Sequence, residues 1–219
     1  MLFGTHGQFT TSGAIRLGQA IEPYLPLWYE EPIPPDNLLE FQEVARAVRI
    51  PIATGERMTT KAEFATVLRT GGAKILQPAL GRAGGIWEGK KIAVLAEAAG
   101  AQMAPHLYAG PVEWAANVHL AVSCPNLLMV EAIESDFHEA LVSGRPRVED
   151  GFVAAPEGPG PWDRVRDTCE YHLGAGYTET GPWSARLERM RKRENVEIET
   201  LQDLQDAVGS FYARVDGAK

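Results

Sequence analysis

Cysteine is almost missing from this sequence, which has only Cys124 and Cys169 among its 219 residues. The two thiols do not form a CxxC motif, and two cysteines cannot supply the set of disulfides that small secreted domains use. The sequence therefore argues against a disulfide-rich secreted protein. It predicts a protein of the reducing cytoplasm.

Positive charge and long apolar runs are also scarce. The 21 lysines and arginines are outnumbered by 29 aspartates and glutamates, which gives a formal net charge of −8 and no basic stripe. An acidic balance of this kind argues against a nucleic-acid surface. No apolar run reaches membrane-spanning length, and residues 1–6 lack the segments of a signal peptide. We therefore expect no nucleic-acid partner and no membrane partner.

Two apolar runs that end in carboxylates are the strongest feature present. Residues 27–29 lead into Glu30, Glu31 and a proline, and residues 50–55 lead into Glu56. Since proline cannot donate to a sheet ladder, each run predicts a short buried strand that stops where the acids begin. Glu56 follows Glu30 by 26 residues, enough for one strand, one helix and two turns. The two carboxylates are therefore predicted at the same end of neighbouring parallel strands, as oxygen ligands for Mg²⁺, with Glu31 pointing away.

The same strand-and-helix unit recurs along the first part of the chain. Predicted strands end near positions 4, 30, 56, 79, 106 and 131. Within these units residues 81–85 are expected to form a loop, and residues 127–130 the last strand. Six such units predict an α/β protein, a partial (β/α)8 TIM barrel that lacks its first strands. A doubly wound open sheet is the alternative, and polar groups at every strand end favour the barrel.

The pattern changes after about residue 136. Residues 142–160 are rich in glycine, proline and charge and predict a surface excursion. We therefore predict one barrel domain over residues 1–160. Residues 161–219 are expected to form an irregular tail with a C-terminal helix.

Three further side chains near predicted strand ends could carry chemistry. His106 follows an apolar strand across Pro105, and His6 follows the first strand. A neutral imidazole at such a position can move a proton at physiological pH, although a packing role is the ordinary alternative for both. Glu131 ends the last predicted strand and could contact a substrate oxygen or cap a loop.

Five ordered motifs together resemble the catalytic barrel of the mandelate racemase and muconate lactonizing enzyme family, within the enolase superfamily. They are YEEP at 29–32, TGE at 54–56, QPALGRAGGI at 77–86, PHL at 105–107 and Glu131. The THGQ segment at 5–8 is most similar to the sugar-acid dehydratase branch, which is galactonate dehydratase-like.

The resemblance implies a magnesium-dependent sugar-acid (aldonate) dehydratase that removes the proton α to a carboxylate. Glu30 and Glu56 would then be the second and third metal ligands. His106 would be the general base or acid, His6 would help a hydroxyl leave, and Glu131 would hydrogen-bond the substrate carboxylate. The expected partner is a small-molecule sugar acid. The exposed edges of an incomplete barrel further predict a homo-oligomer.

The sequence departs from the family pattern at two positions. Gly4 stands where the family has its first metal carboxylate, and Ala79 stands where it has the aspartate that orients the catalytic histidine. The N-terminal capping domain and the strand with the family's lysine base are also expected to be missing, as in a truncated or mis-started reading frame. Two alternatives therefore stay open: a non-catalytic fragment or scaffold of the same fold, and an epimerase or cycloisomerase on the same barrel.

Overall fold

A computed structural model describes residues 1–133 and 148–155 of the chain. Its main sheet has five parallel strands whose spatial order equals their order in the chain. They are β1 (Leu2–Gly4), β2 (Trp28–Glu30), β3 (Ile52–Thr54), β4 (Ile75–Leu76) and β5 (Gln102–Met103). A helix follows each strand, as right-handed parallel connections require. The predicted α/β class and partial barrel are confirmed.

The helices lie between the strands in sequence. They are α1 (Thr11–Ile21), α2 (Glu40–Ala47), α3 (Lys61–Thr70), α4 (Leu80–Ala83), α5 (Gly85–Ala98) and α6 (Pro111–Val122). A short 3-10 helix, Glu22–Tyr24, follows α1. No helix in the described part of the chain has the length and apolar composition to cross a membrane.

The sheet separates two apolar layers because neighbouring strand residues face opposite sides. Tyr29 and Leu76 pack in the larger cluster, together with Phe41 and Phe64 from the helices. The other face carries a smaller cluster of Trp28, Ala53, Ile75 and Ala104. Complete burial of a phenylalanine such as Phe41 stabilises the fold by about 1.5–3 kcal/mol. The apolar layers hold the sheet together, and because the strands are parallel, their C-terminal ends lie along one edge.

Two predicted elements are wrong. Residues 80–83 form α4 instead of a loop, because Leu80 and Ala83 lie one turn apart and are both buried. Gly84, with φ of 98°, then separates α4 from α5. The second wrong prediction concerns residues 127–130, which do not form a strand.

A single bridge between Leu127 and Met103 stands where the last strand was predicted. The nitrogen of Leu128 donates to the carbonyl of Met103 at 2.8 Å. The ladder cannot continue regularly beside Pro105, which has no N–H to donate. Its carbonyl still accepts a hydrogen bond from the nitrogen of Glu131 at 3.3 Å, so this segment stays beside the end of β5.

The described part of the predicted surface excursion is a small hairpin. Strands β6 (Val148–Glu149) and β7 (Phe152–Val153) are antiparallel. Asp150 and Gly151 between them have φ of 51° and 81°, as a two-residue hairpin turn requires. The predicted tail, residues 161–219, lies outside the described residues.

Candidate active site

The C-terminal edge of the sheet collects side chains from several strand ends. Glu30 ends β2, Glu56 follows β3 across Gly55, and His106 follows β5 across Pro105. His6 follows β1 in a loop where it and Gly7 have φ of 50° and 64°. The parallel arrangement puts these residues on one edge, as their sequence positions predict.

Glu56 lies between the two histidines. Its Oε1 is 3.5 Å from Nδ1 of His6, and its Oε2 is 3.7 Å from Nδ1 of His106. The Glu56 side chain is only 12% exposed, whereas the His6 side chain is 68% exposed. One largely buried carboxylate therefore lies between the partly buried imidazole of His106 and the exposed imidazole of His6.

His106 makes its closest side-chain contact with Glu131. Its Nδ1 lies 2.7 Å from Oε2 of Glu131, and the same oxygen accepts a hydrogen bond from the nitrogen of Leu107 at 2.7 Å. The His106 main chain is also fixed. Its nitrogen donates to the carbonyl of Pro78 at 3.2 Å, and its carbonyl accepts from Nδ2 of Asn117 at 3.0 Å. Ring and backbone of His106 are therefore both held.

The contact shifts the pKa of both partners. Burial lowers the pKa of His106, but the hydrogen bond to Glu131 and the charges of Glu131, Glu56 and Glu30 outweigh it, so the pKa lies above its ordinary value. Burial raises the pKa of Glu131, and its hydrogen bonds with His106 and Leu107 bring the pKa below its ordinary value. Each partner thus favours the charged form of the other.

Glu30, at the end of β2, is held by two donors. Its Oε2 accepts hydrogen bonds from Nε1 of Trp28 at 2.9 Å and from Nε2 of Gln77 at 2.7 Å. Gly4 lies opposite Glu30 in the sheet register. An added Cβ on Gly4 would be 3.7 Å from Oε1 of Glu30, which is ordinary contact distance. There is therefore room for a side chain beside Glu30.

The prediction that Glu31 points away from the site is wrong. Its φ of 39° breaks the alternation of the strand, and the residue is 1% exposed. Oε2 of Glu31 accepts hydrogen bonds from Nη2 and Nε of Arg57 at 2.6 and 2.9 Å. Burial raises the pKa of Glu31, the hydrogen bonds from Arg57 lower it, and the net pKa lies above its ordinary value. Sequence alternation alone could not reveal this contact, although an arginine directly after Glu56 was a signal for it.

A candidate cation site lies beside these carboxylates. One ligand atom each from His6, Glu31 and Glu56 lie within 4.8 Å of one another. Oε1 of Glu31 is buried and has no hydrogen-bond partner, which indicates a place for a positively charged group. The two carboxylates supply the oxygen donors that Mg²⁺ prefers and so fit that ion, whereas the imidazole nitrogen of His6 is not a donor of that kind. Glu30 is not in this group, and its metal role stays a prediction.

The edge therefore brings together His6, Glu56, His106 and Glu131 as a connected series. Sequence reasoning missed Arg57 and Gln77, which fix the carboxylates of Glu31 and Glu30. Such contacts join residues far apart in sequence, and the position of Arg57 directly after Glu56 is the one sequence signal for them noted above.

Three comparisons with known proteins agree with this geometry. Residues 1–161 match the family model described as enolase C-terminal domain-like. The chain is 37% identical over 163 residues to the D-gluconate/D-galactonate dehydratase of Picrophilus torridus, and the match covers 73% of this chain and 41% of that protein.

Solved structures give the same result. The mandelate racemase/muconate lactonizing enzyme from Jannaschia sp. CCS1 is 77% identical with a TM-score of 0.71, covering 73% of this chain and 41% of that one. An enolase from Agrobacterium radiobacter, solved with bound Na and L-malate, is 30% identical with a TM-score of 0.68, covering 76% of this chain and 48% of that one. The chain therefore spans less than half the length of each of these proteins.

Proposed function

This chain belongs to the enolase C-terminal domain-like family, and from that membership we propose that it is the barrel part of a magnesium-dependent sugar-acid dehydratase. The family predicted from the sequence motifs is confirmed, including its mandelate racemase and muconate lactonizing enzyme relatives. The curated relative named above acts, by its name, on gluconate and galactonate. An aldonic acid is accordingly the proposed substrate.

The observation that carries the proposal is the position of Glu56 between two imidazoles, at 3.5 Å from His6 and 3.7 Å from His106. Loss of water from a hydroxy acid needs one group that removes the α-proton and another that protonates the departing hydroxyl. Two histidines at one strand edge supply both. A binding protein for the same acid would need groups that hold the acid, but no pair of groups that removes one proton and donates another.

The proposed reaction balances with these two residues. His106 takes the proton from the carbon α to the carboxylate, and the C–H electron pair becomes a C=C bond as the β C–O bond breaks. His6 gives a proton to the departing hydroxyl, which leaves as water. The enol product then rearranges to a 2-keto acid, and solvent returns both histidines to their starting protonation states. Because the His6 side chain is 68% exposed, proton exchange with solvent is available to it.

The residues that would hold the ion are Glu30 and Glu56, with the buried Oε1 of Glu31 as a further oxygen. A bound Mg²⁺ would supply Lewis-acid polarisation of the substrate carboxylate, which makes the α-proton more acidic. Arg57 keeps the other oxygen of Glu31 occupied, at 2.6 Å. Gln77 and Trp28 do the same for Oε2 of Glu30.

A non-catalytic scaffold of the same fold is the second candidate, favoured by Gly4. The space beside Oε1 of Glu30 holds no side chain, so the edge offers one carboxylate fewer than the family pattern. An epimerase or cycloisomerase on the same barrel would also remove the α-proton. It would release a product that has not lost water. The cytoplasmic location and the homo-oligomeric state stay predictions.

Proton exchange in deuterated water tests the proposal. The chain, with added Mg²⁺, is incubated with a panel of aldonic acids, and deuterium at the α-carbon and formation of a 2-keto acid are followed by NMR. We expect both signals from the wild type and neither from His106→Ala. Glu97→Gln, an exposed substitution on α5, is the matched control and should keep both. Exchange without water loss would favour the epimerase, and no exchange with any acid would favour the scaffold.

A further inference from the structure

We propose that Glu131 is a positioning residue that orients the imidazole of His106 through Nδ1, and that it does not contact the substrate carboxylate. The effect of this orientation on catalysis rests on the proposed function. The contact itself can be measured without substrate or metal.

The donor and acceptor in this contact are fixed by chemistry. An ionised carboxylate only accepts hydrogen bonds, so the 2.7 Å contact with Oε2 of Glu131 requires a proton on Nδ1 of His106. In the neutral ring the remaining nitrogen, Nε2, then carries the lone pair. Glu131 thereby selects which nitrogen of His106 is free to act as base.

Glu131 is itself anchored to both neighbours of His106. Its Oε2 accepts from the nitrogen of Leu107 at 2.7 Å, and its own nitrogen donates to the carbonyl of Pro105 at 3.3 Å. The carboxylate therefore joins the ring of His106 to the backbone of Leu107, while the main chain of Glu131 is fixed to that of Pro105. An arrangement of this kind limits rotation of the ring.

No other described carboxylate is placed to do the same. Glu56 lies 3.7 Å from Nδ1, which is beyond hydrogen-bond distance. Ala79, which pairs with His106 through a backbone bridge, presents only a methyl group. Within residues 1–133 and 148–155, the hydrogen bond to Nδ1 therefore comes from Glu131.

A direct contact between Glu131 and a substrate carboxylate conflicts with this geometry. Glu131 would have to be protonated in order to donate, yet the two N–H groups that its Oε2 accepts favour the ionised carboxylate over the acid. Those hydrogen bonds hold the pKa of Glu131 below its ordinary value, against burial, which raises it. Two carboxylates at hydrogen-bond distance would repel each other.

Nitrogen-15 NMR of the histidine-labelled chain, without metal or substrate, tests the contact. The chain has 5 histidines, and His106→Gln identifies the signals of His106 by their loss. We expect the wild type to show a protonated Nδ1 in its neutral form, and Glu131→Ala to lose that preference. Glu131→Leu has a side chain of similar size with no hydrogen-bond acceptor, and it serves if the alanine variant does not fold. A wild-type spectrum with a bare Nδ1, or a pattern unchanged in the folded variant, would overturn the inference.

Kinetics separate the two possible roles of Glu131. Loss of an orienting partner should lower kcat for α-proton exchange by about ten- to a hundredfold and leave KM nearly unchanged. A raised KM with unchanged kcat would assign Glu131 to substrate binding and overturn the inference. If the wild type exchanges no proton at all, the proposed function fails, and the NMR result still decides the role of Glu131.

Discussion

Arg57 donates two hydrogen bonds to a single oxygen of Glu31, at 2.6 and 2.9 Å, and Glu31 is 1% exposed. The pair therefore connects the end of β2, where Glu31 lies, with the end of β3, where Arg57 follows Glu56. The carbonyl of Glu31 also accepts from Oγ1 of Thr5 at 2.8 Å and from the nitrogen of Gly7 at 2.7 Å. Glu31 therefore connects the His6 loop, the end of β2 and Arg57.

Replacement of Arg57 by alanine should destabilise the protein strongly. It leaves the buried carboxylate of Glu31 without its cation, and because the Arg57 side chain is itself 34% exposed, the cost should be about 2 kcal/mol, below that of a fully buried pair. Urea denaturation measures the loss. Arg82→Ala, an exposed arginine on α4, is the control and should stay within about 0.5 kcal/mol of the wild type. Equal stability of the two variants would show that Arg57 contributes no more than a surface charge.

Gly7→Ala should cost more stability than Gly71→Ala. Both glycines have positive φ, 64° and 72°, so both substitutions strain the backbone by about 1–2 kcal/mol. Only at Gly7 would the new Cβ also collide with Nη2 of Arg57 and lie 3.0 Å from the carbonyl of Ile33. Gly71 has nothing within 4 Å. We expect a difference of about 1–3 kcal/mol in urea denaturation from this overpacking, and equal costs would contradict it.

The start of α3 should lose stability in acid. Oε2 of Glu63 accepts hydrogen bonds from the nitrogens of Thr60 and Thr59 at 2.7 and 3.1 Å. Burial raises the pKa of Glu63, but these hydrogen bonds and those from the two threonine hydroxyls bring it below 4.5. The stabilisation is therefore complete above about pH 4.5 and is lost as pH falls through the lower folded pKa.

Glu63→Gln isolates the charge in this cap. Near pH 7 the substitution should cost about 0.5 kcal/mol, since a negative charge at a helix N-terminus stabilises by that order. The stability gap between wild type and variant, measured by urea denaturation from pH 7 to pH 3, should shrink in acid. A gap that is independent of pH would mean that hydrogen bonding alone supplies the cap.

Magnesium should raise the melting temperature, and Glu56→Gln should abolish the effect. A site that exists only in the folded chain adds about 2.7 kcal/mol when the ion reaches roughly one hundred times its Kd. Thermal melts in EDTA and in a magnesium series measure this gain. Glu30→Gln tests the second predicted ligand in the same way, and Glu97→Gln should behave as the wild type. An unchanged melt in magnesium would remove the metal from the proposal.

Gly4→Asp should tighten magnesium binding. The space at Gly4 admits a Cβ at 3.7 Å from Oε1 of Glu30, and a further carboxylate would increase the negative charge of the site. Gly4→Asn has the same size without the charge and is the matched control. We expect the aspartate variant to reach the same melting shift at a lower magnesium concentration. A gain equal in both variants would point to packing.

Much of the C-terminal edge of the sheet could be predicted because the sequence patterns that specify it are local. An apolar run that ends in Glu30, and another that ends in Glu56, each specify a strand and its end, and their repetition specifies parallel neighbours. His6 and His106 follow from the same rule. The structure places Glu56, which follows β3, at 3.5 Å from His6 after β1 and at 3.7 Å from His106 after β5.

The rest depended on contacts between distant residues. Alternation along β2 predicted that Glu31 turns away, whereas its positive φ and its bond with Arg57, 26 residues later, turn it inward. The predicted strand at residues 127–130 had the right composition, but its neighbour offers Pro105 where a donor was needed. Neither effect leaves a trace in the local sequence around the residue concerned.

The order of the strands has a consequence for how such a chain can change over evolutionary time. Each strand in the described sheet pairs only with the strands before and after it in sequence, from β1 to β5. Whole units can therefore be gained or lost at either end of the series without exchange of hydrogen bonds among the units that remain. His6 follows β1 and His106 follows β5, so the two imidazoles stand at the two ends of the described series, and loss of either terminal unit would remove one of them.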